Sequence, residues 1–384
     1  MNDFLPSCIP NISGREDEYL QDCIKSTFVS SVGEYVNKFE DLTAKLSGYK
    51  YGIAVSSGTN GLHLALHCLE SKKDDLVLLP DYTFIASANA VSHTGAEPWF
   101  FDISKEDLNI DLVDVDNVLT KECFVKKNGV FHKKTHKKIS AIMPVFAIGR
   151  PMDFEKLNFF KKKWPIPMVI DAAGAMGCKH KNKLLGELNA DFSVISFNGN
   201  KTFTSGGGGV ILTNDKKLYL KARHLSSTAR KSTEYIHDKK AFNYRMTNIQ
   251  AAVGYAQLER FNEFLDKKKY IFNYYEKNIK LKGSYFLKNS DSQSSHWLSF
   301  FIYEDNKNVS KEDILQSLKN NNIEARNFWV PMHLQPPYKL AMKSNIDISK
   351  DIYNKIVILP SSTNITDKEL SRVVNSINIL EQKL

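Results

Sequence analysis

Seven short apolar runs alternate with helix-like stretches between about residues 50 and 215, and this alternation restricts the fold more than any other feature. Several runs are apolar at every position, as expected of strands that are buried on both faces of a mostly parallel sheet. The runs are YGIAVS, DLVLLP, PWFFDI, ISAIMPVFA, PMVIDAA, DFSVISF and GGVILTN. This pattern predicts a doubly wound α/β domain, whose ligand crevice lies at the carboxyl ends of the strands.

The rest of the chain predicts a smaller α+β unit. Residues 245–280 have the spacing of one long helix, which is followed by a strand, HWLSFFIYE, and by a helix capped near Ser310. We expect an N-terminal segment and a large domain over residues 1–250 and a small C-terminal domain over residues 251–384. The first 45 residues or so are expected to cross over to the small domain.

The stretch SFNGNKTFTSGGGG, residues 196–209, places Lys201 on a tight polar turn between two of the apolar runs. Small residues around it leave room for a bulky group, and Ser196 precedes it by five positions. Burial lowers the pKa of a lysine and makes its amine a nucleophile toward carbonyls. Lys201 is therefore a candidate for a Schiff base. A lone lysine in a loop is usually solvated, so the prediction depends on its neighbours.

A phosphate site is indicated by VSSGTNGLHLALHCLE, residues 55–70. The segment predicts a short strand, a turn, and a helix capped by Ser57 or Thr59. The N terminus of such a helix directs free N–H groups and the positive end of its dipole at one spot, which favours a phosphate. By itself the turn is equally an ordinary helix cap.

Two further strand ends carry candidate residues. MVIDAAGAMG ends a strand at Asp171, where a carboxylate faces the crevice of a parallel sheet or caps a following helix. LLPDYTFIASANAV puts Tyr82 and Phe84 at another strand end, where an aromatic ring can stack on a planar ligand. Core packing is the commoner role of such aromatic residues. Together, the lysine, carboxylate, helix terminus and aromatic ring describe a site for pyridoxal 5′-phosphate (PLP).

The chain also resembles a known family, the DegT/DnrJ/StrS-type sugar-nucleotide aminotransferases. The resemblance rests on the motifs SSGT, TFIAS, DAAGAMG, SFNGNK, NYRMTNIQAAVGYAQLE, RNFWVPMHLQPPY and LPSS, which occur in the family's order over nearly the whole chain. It implies the aspartate aminotransferase fold (PLP fold type I), with a mostly parallel seven-stranded sheet in the large domain. It also implies that Lys201 forms the Schiff base and transfers the proton, and that Asp171 keeps the pyridine nitrogen protonated.

The same resemblance assigns the remaining contacts. It implies that Gly58, Thr59 and Ser196 hold the phosphate, and that Asn243 reaches the phosphate of the neighbouring subunit. A homodimer with shared active sites follows from that last contact.

For the cofactor ring, the resemblance matches Phe84 to the stacking position, so we prefer it to Tyr82. Arg245 and His333 fall in motifs near the sugar pocket and are our candidate substrate residues.

Two positions depart from the family's pattern. Residue 174 is Gly where relatives often carry Gln or Glu, so a contact with the ring hydroxyl of the cofactor is lost or is made by water. Residue 146 is Phe where relatives commonly have His, which predicts a more apolar side of the substrate pocket.

The SFNGNK form is most similar to LegC-like and PglE-like enzymes, which implies a 4-keto-6-deoxy UDP-N-acetylhexosamine as the amino acceptor and glutamate as the donor. The alternatives are a 3-keto, dTDP- or GDP-linked sugar, or a deoxysugar dehydratase on the same fold. Lys201 argues against the dehydratase, because those relatives carry His at the lysine position. A non-catalytic regulator would predict a damaged site or an added DNA-binding segment, and the sequence has neither.

Composition sets the remaining limits. The 384 residues are 42% hydrophobic and 25% charged, as in soluble globular proteins. No apolar run approaches a membrane span, and the start of the chain lacks a signal pattern, so we expect a cytoplasmic protein without a membrane partner. The five cysteines are scattered without a CxxC pair, which predicts free thiols and no metal site.

The net charge of +9 raises the alternative of a nucleic-acid partner. Six of the lysines lie in KKNGVFHKKTHKK, residues 126–138, which contains no acidic residue and is expected to be a solvated hairpin or loop. Basic residues are not interleaved with aromatic ones in the way that stacks bases, so no nucleic-acid partner is predicted.

Overall fold

The structure, a computed structural model, describes residues 3–231, 234–288, 291–305, 308–325 and 327–383. Arg326, at the start of the RNFWVPMHLQPPY motif, lies outside these residues. The strands are β1 (Tyr51–Val55), β2 (Leu76–Pro80), β3 (Glu97–Phe101), β4 (Cys123–Lys126), β5 (Gly129–His132), β6 (Lys138–Ile142), β7 (Val169–Asp171), β8 (Lys179–His180), β9 (Phe192–Ser196), β10 (Gly209–Thr213), β11 (Ser284–Tyr285), β12 (Ser292–Gln293), β13 (Ser299–Tyr303), β14 (Met342–Lys343) and β15 (Ile356–Leu359). The α-helices are α1 (Glu16–Ser26), α2 (Glu34–Ser47), α3 (Gly58–Cys68), α4 (Ile85–His93), α5 (Leu112–Glu122), α6 (Phe154–Lys163), α7 (Lys216–Ser226), α8 (Asn248–Glu259), α9 (Phe261–Asn278), α10 (Lys311–Asn320), α11 (Ile348–Lys355) and α12 (Asp367–Asn378).

All seven apolar runs form strands, namely β1, β2, β3, β6, β7, β9 and β10. A four-stranded sheet has the order β1-β10-β9-β7, in which β10 is antiparallel to both neighbours and β9 is parallel to β7. A six-stranded sheet has the order β14-β3-β2-β6-β5-β4. The two sheets meet where the bridges Ile142–Met168 and Val145–Asp171 join the β6 side to the β7 side. The α/β class is confirmed, whereas the expected seven strands are divided between two sheets: four make up the four-stranded sheet, and three lie in the six-stranded sheet together with β4, β5 and β14.

Strand β2 illustrates why these runs are apolar throughout. Leu76 and Leu78 pack in one buried cluster, whereas Val77 and Leu79 pack in another. Because successive side chains of a strand point to opposite faces, both faces of the sheet are covered. The carboxyl ends of the strands are left as the open edge at which a ligand can bind.

The helix predicted over residues 245–280 is two helices. Helix α8 ends at Glu259 and α9 begins at Phe261, with Arg260 between them at φ −98° and ψ 22°. Arg260 donates hydrogen bonds to Glu263 and to Ser13, which hold the break. Helix α8 packs against α1 and α2, while α9 packs against the small sheet β11-β13-β15. The two helices bury faces against different neighbours, and a straight helix could not satisfy both.

The other local predictions agree with the structure. Ser310 caps α10 by accepting a hydrogen bond from the Asp313 N–H at 3.2 Å. The lysine-rich segment contains the turn between β4 and β5, which form an antiparallel hairpin at the edge of the larger sheet. Across the ranges given above, no helix is long and apolar enough to span a bilayer.

Candidate active site

A cavity of about 710 Å³ opens at the carboxyl ends of β1, β7 and β9. Its far wall comes from the C-terminal part of the chain, where Trp297, Phe328 and Trp329 lie. Six of the residues predicted from the sequence line it: Gly58, Thr59, Phe84, Asp171, Ser196 and Lys201. The other three predicted site residues, Asn243, Arg245 and His333, do not line it.

Lys201 follows β9 on a tight turn, in which its N–H donates to the Asn198 carbonyl at 3.0 Å. Its Nζ lies 3.4 Å from the centre of the Trp297 ring. Burial lowers the pKa of Lys201 to about 8, although the negative charge of Asp171 acts in the opposite direction. Near neutral pH, this amine is therefore deprotonated far more often than an ordinary lysine, and the neutral form is the nucleophile.

Asp171 ends β7 and is held by two donors. The Ser87 hydroxyl donates to Oδ2 at 2.7 Å, and the Ala173 N–H donates to Oδ1 at 3.0 Å. Burial raises the pKa of Asp171, while these hydrogen bonds and the charge of Lys201 favour its ionised form. The result is a buried carboxylate in the same cavity as the amine, with a fixed orientation.

The N terminus of α3 supplies hydrogen-bond donors at the same edge. Ser57 caps the helix, since its hydroxyl accepts from the Asn60 N–H at 3.1 Å. The first N–H groups of a helix have no acceptor within the helix, and Gly58 and Thr59, the first two residues of α3, line the cavity. A Cβ on Gly58 would lie 3.1 Å from the Ser196 Cβ, so glycine allows the end of β9 to approach closely. Backbone N–H groups and the serine hydroxyl together form an anion-binding corner.

The two aromatic candidates have opposite environments. Phe84 precedes α4, lines the cavity and remains 56% exposed. Tyr82 is fully buried beneath Trp329 and does not line the cavity. Of these two candidates, Phe84 is therefore the one that can present a ring face to a ligand in this cavity.

The three residues outside the cavity have other neighbours. Arg245 donates to Glu40 at 2.6 Å in a buried ion pair, and His333 contacts the buried Asp81 at 2.7 Å. Asn243 is exposed, and its backbone bridges to Ser227. Within one chain these residues do not meet Lys201.

Sequence reasoning did not identify several residues in or behind the cavity. Ser87 lies behind the cavity wall, inside the TFIAS motif, and its contact with Asp171 joins residues 84 positions apart. Trp297 and Phe328 come from the C-terminal part, where their spacing is that of ordinary core residues. The two departures noted above, Phe146 and Gly174, also line the cavity, and Phe146 is almost fully buried.

The arrangement fits PLP. Lys201 offers an amine for covalent attachment, Asp171 a carboxylate for the ring nitrogen, the start of α3 an anion corner, and Phe84 a stacking face. When bound, the cofactor acts as an electron sink for the carbon that gains or loses a proton. The described residues contain no group of His, Cys, Asp and Glu side chains that could hold a metal ion.

Comparison with known proteins agrees with this geometry. Residues 10–378 match the DegT/DnrJ/EryC1/StrS aminotransferase family. The chain belongs to that family. Members are PLP-dependent aminotransferases, so the enzyme is a PLP-dependent sugar aminotransferase.

Curated proteins and solved structures that are similar to this aminotransferase are named for sugars or sugar nucleotides. A GDP-perosamine synthase from Escherichia coli O157:H7 is 34% identical over 376 residues, which cover 98% of each chain. A UDP-4-amino-4,6-dideoxy-N-acetyl-beta-L-altrosamine transaminase from Campylobacter jejuni serotype O:2 is 28% identical over 338 residues, covering 86% of this chain and 84% of the relative. The PLP form of Spr1654 from Streptococcus pneumoniae has the same fold, with a TM-score of 0.87 at 23% identity over 99% of both chains.

Proposed function

We propose that this aminotransferase moves an amino group from glutamate to a 4-keto-6-deoxy sugar nucleotide for the synthesis of a bacterial surface glycan. The observation that carries the proposal is the buried pair of Lys201 and Asp171 in one cavity, beside an anion-binding helix terminus. Family membership supplies the reaction class.

In this proposal Lys201 is the residue that binds PLP covalently, and its freed amine then moves a proton at the substrate carbon. A general base works best when its pKa lies near the working pH, and burial brings the pKa of Lys201 to about 8. Because the amine is fixed on a tight turn, the proton transfer is effectively intramolecular. Asp171 keeps the ring nitrogen protonated.

The remaining contacts follow from the same placement. Gly58, Thr59 and Ser196 would hold the cofactor phosphate, and Phe84 would stack on the ring. The exposed position of Asn243 is compatible with a contact to the phosphate of a neighbouring subunit, as in a homodimer with shared sites. Arg245 and His333 remain our candidate substrate residues only through such a partner, because neither lines the cavity of its own chain. We propose a cytoplasmic location, where sugar nucleotides and glutamate are both available.

For the acceptor we propose a UDP-N-acetylhexosamine, following the SFNGNK motif and the Campylobacter relative that is named for a UDP-linked amino sugar. A GDP-linked 4-keto-6-deoxyhexose is the second candidate, because three relatives that are 31–34% identical are GDP-perosamine synthases. Both candidates share the 4-keto-6-deoxy ring, so they differ in the base and in the N-acetyl group. A dehydratase is disfavoured by Lys201.

The test offers the purified enzyme glutamate with UDP-, GDP- and dTDP-linked 4-keto and 3-keto sugars and identifies the products by NMR. The expected product is a 4-amino sugar from the UDP-N-acetyl substrate, with 2-oxoglutarate formed in equal amount. Lys201→Arg is the control, since it keeps a positive charge but lacks the nucleophilic amine. Amination of only the GDP sugar would replace our acceptor with the second candidate. Amination of none of the panel, with PLP bound, would contradict the proposed function.

A further inference from the structure

Trp297 forms a fixed wall of the cavity and is only 4% exposed. Its indole Nε1 donates to the Asn200 carbonyl at 2.7 Å, directly beside Lys201 in the chain. Its backbone carbonyl accepts from the buried amine of Lys268 at 2.8 Å. Both ends of the residue are therefore anchored, and the indole plane cannot turn freely.

The indole occupies the space that a side chain at position 174 would need. A Cβ built on Gly174 would lie 2.5 Å from Cε3 of Trp297, which is closer than two carbon atoms can approach. The Gly174 backbone is itself fixed, because its carbonyl accepts from the Ser295 hydroxyl at 2.6 Å. Neither the glycine backbone nor the indole can move away without breaking a hydrogen bond.

The face of this indole is directed at the reactive amine. Lys201 Nζ lies 3.4 Å from the ring centre, which is a close cation–π distance. The interaction favours the protonated amine and holds Nζ at one place. The indole donates to the carbonyl of Asn200, the residue before Lys201. The Trp297 side chain therefore fixes both the turn and the position of Lys201 Nζ.

We propose that Trp297 is the positioning residue of Lys201 and that Gly174 is required to admit its indole. This inference rests on the proposed role of Lys201 and adds to it the element that orients the amine whenever it is not joined to the cofactor.

The first experiment measures the amine directly, in the full-length chain stripped of cofactor. Competitive acetylation with an isotope-coded reagent, followed by mass spectrometry, gives the pH midpoint of Lys201 reactivity. We expect Trp297→Leu, which keeps an apolar side chain but removes the ring, to lower this midpoint by about one pH unit. Trp297→Phe keeps a ring and should fall between the Leu variant and the unchanged protein. Trp164→Leu removes another buried indole, which donates to Asp116 and does not line the cavity, and should leave the midpoint unchanged.

The second experiment tests the role of Gly174 by a double-mutant cycle. Gly174→Ala should lower the midpoint by displacing the indole. In Gly174→Ala/Trp297→Leu the added methyl group meets no indole, so the midpoint should equal that of Trp297→Leu alone. Such non-additivity is the signature of two residues that act through one contact.

Opposite results would overturn the proposal. A midpoint in Trp297→Leu equal to or above that of Trp297→Phe would exclude the ring as the orienting group. Additive shifts in the double variant would separate Gly174 from Trp297. Circular dichroism and gel filtration identify variants that misfold. If Trp297→Leu misfolds, the pH midpoint of Trp297→Phe is compared with that of the unchanged protein instead. Failure of the proposed function is a separate result, because it would appear as no amination of the sugar panel, or as cofactor trapped on another residue, while these midpoints still shifted.

Discussion

Ser87→Ala removes a single hydroxyl that the sequence did not single out and that lies against the carboxylate of Asp171. The Ser87 hydroxyl donates to Asp171 Oδ2 at 2.7 Å, and both residues are buried. Burial already raises the pKa of Asp171, so the hydrogen bond is one of the few interactions that keep the carboxylate ionised. Its removal should raise that pKa further.

The size of the expected change in the pKa of Asp171 follows from the charge on the acceptor. A hydrogen bond to a charged group contributes about 1.5–3 kcal/mol, and one pKa unit corresponds to about 1.4 kcal/mol. The acid-side midpoint for productive cofactor binding should therefore move upward by about one to two pH units. The direction is upward because a carboxyl with a higher pKa loses its charge at a higher pH.

The assay is the affinity for PLP, measured by fluorescence titration between pH 5 and 9. PLP itself titrates in this range, but its contribution is the same for every variant and cancels in the comparison. Ser92→Ala is the matched control, because Ser92 lies on the same helix and its hydroxyl contacts Tyr338 at 3.3 Å instead. The reasoning is refuted if Ser87→Ala and Ser92→Ala give the same midpoint as the unchanged enzyme.

Three further outcomes are expected. Arg245→Met should lower the free energy of unfolding by about 3 kcal/mol, since it takes away one of the two arginines that pair with the buried Glu40 and leaves Arg223. A raised KM with unchanged denaturant stability would instead make Arg245 a substrate residue. Hybrid dimers of inactive Lys201→Ala and Asn243→Ala chains should regain part of the activity if the sites are shared, and verified hybrids without activity would exclude the cross-subunit contact. In the cofactor-free protein the pKa of Lys201 is lowered from 10.5 to about 8, so the unfolded chain binds more protons than the folded one between these values. The free energy of unfolding should therefore rise with pH across that window. Urea titrations in which Lys201→Met shows the same rise would contradict this.

The sequence predicted those parts of the fold and site that depend on residues close together in the chain. Continuous apolar runs identify doubly covered strands, and the ends of those strands carry Lys201 and Asp171 into one cavity because carboxyl ends of parallel strands share an edge. The start of α3 was also predicted, with Ser57 or Thr59 as its cap, because both precede a helical apolar pattern; the structure has Ser57 as the cap.

What the sequence left unpredicted depends on contacts between distant segments. The break at Arg260 follows from two different packing partners, neither of which is visible in the helical spacing itself. Trp297 lies 97 positions after Asn200, and it reaches the cavity only because the chain folds back onto this turn. Arg245 lies in a family motif, yet Glu40, about 200 positions earlier, is the residue that binds it.

The attachment point of the cofactor tests the account most directly. The purified, PLP-loaded enzyme is reduced with borohydride, digested, and analysed by mass spectrometry for the lysine that carries the pyridoxyl group. We predict the adduct on Lys201 alone. Lys268 provides an internal comparison, because it is also buried with a lowered pKa but donates to the carbonyls of Trp297 and Ser361. An adduct on Lys268 or any other lysine, or no adduct on a protein that binds PLP, would contradict the account.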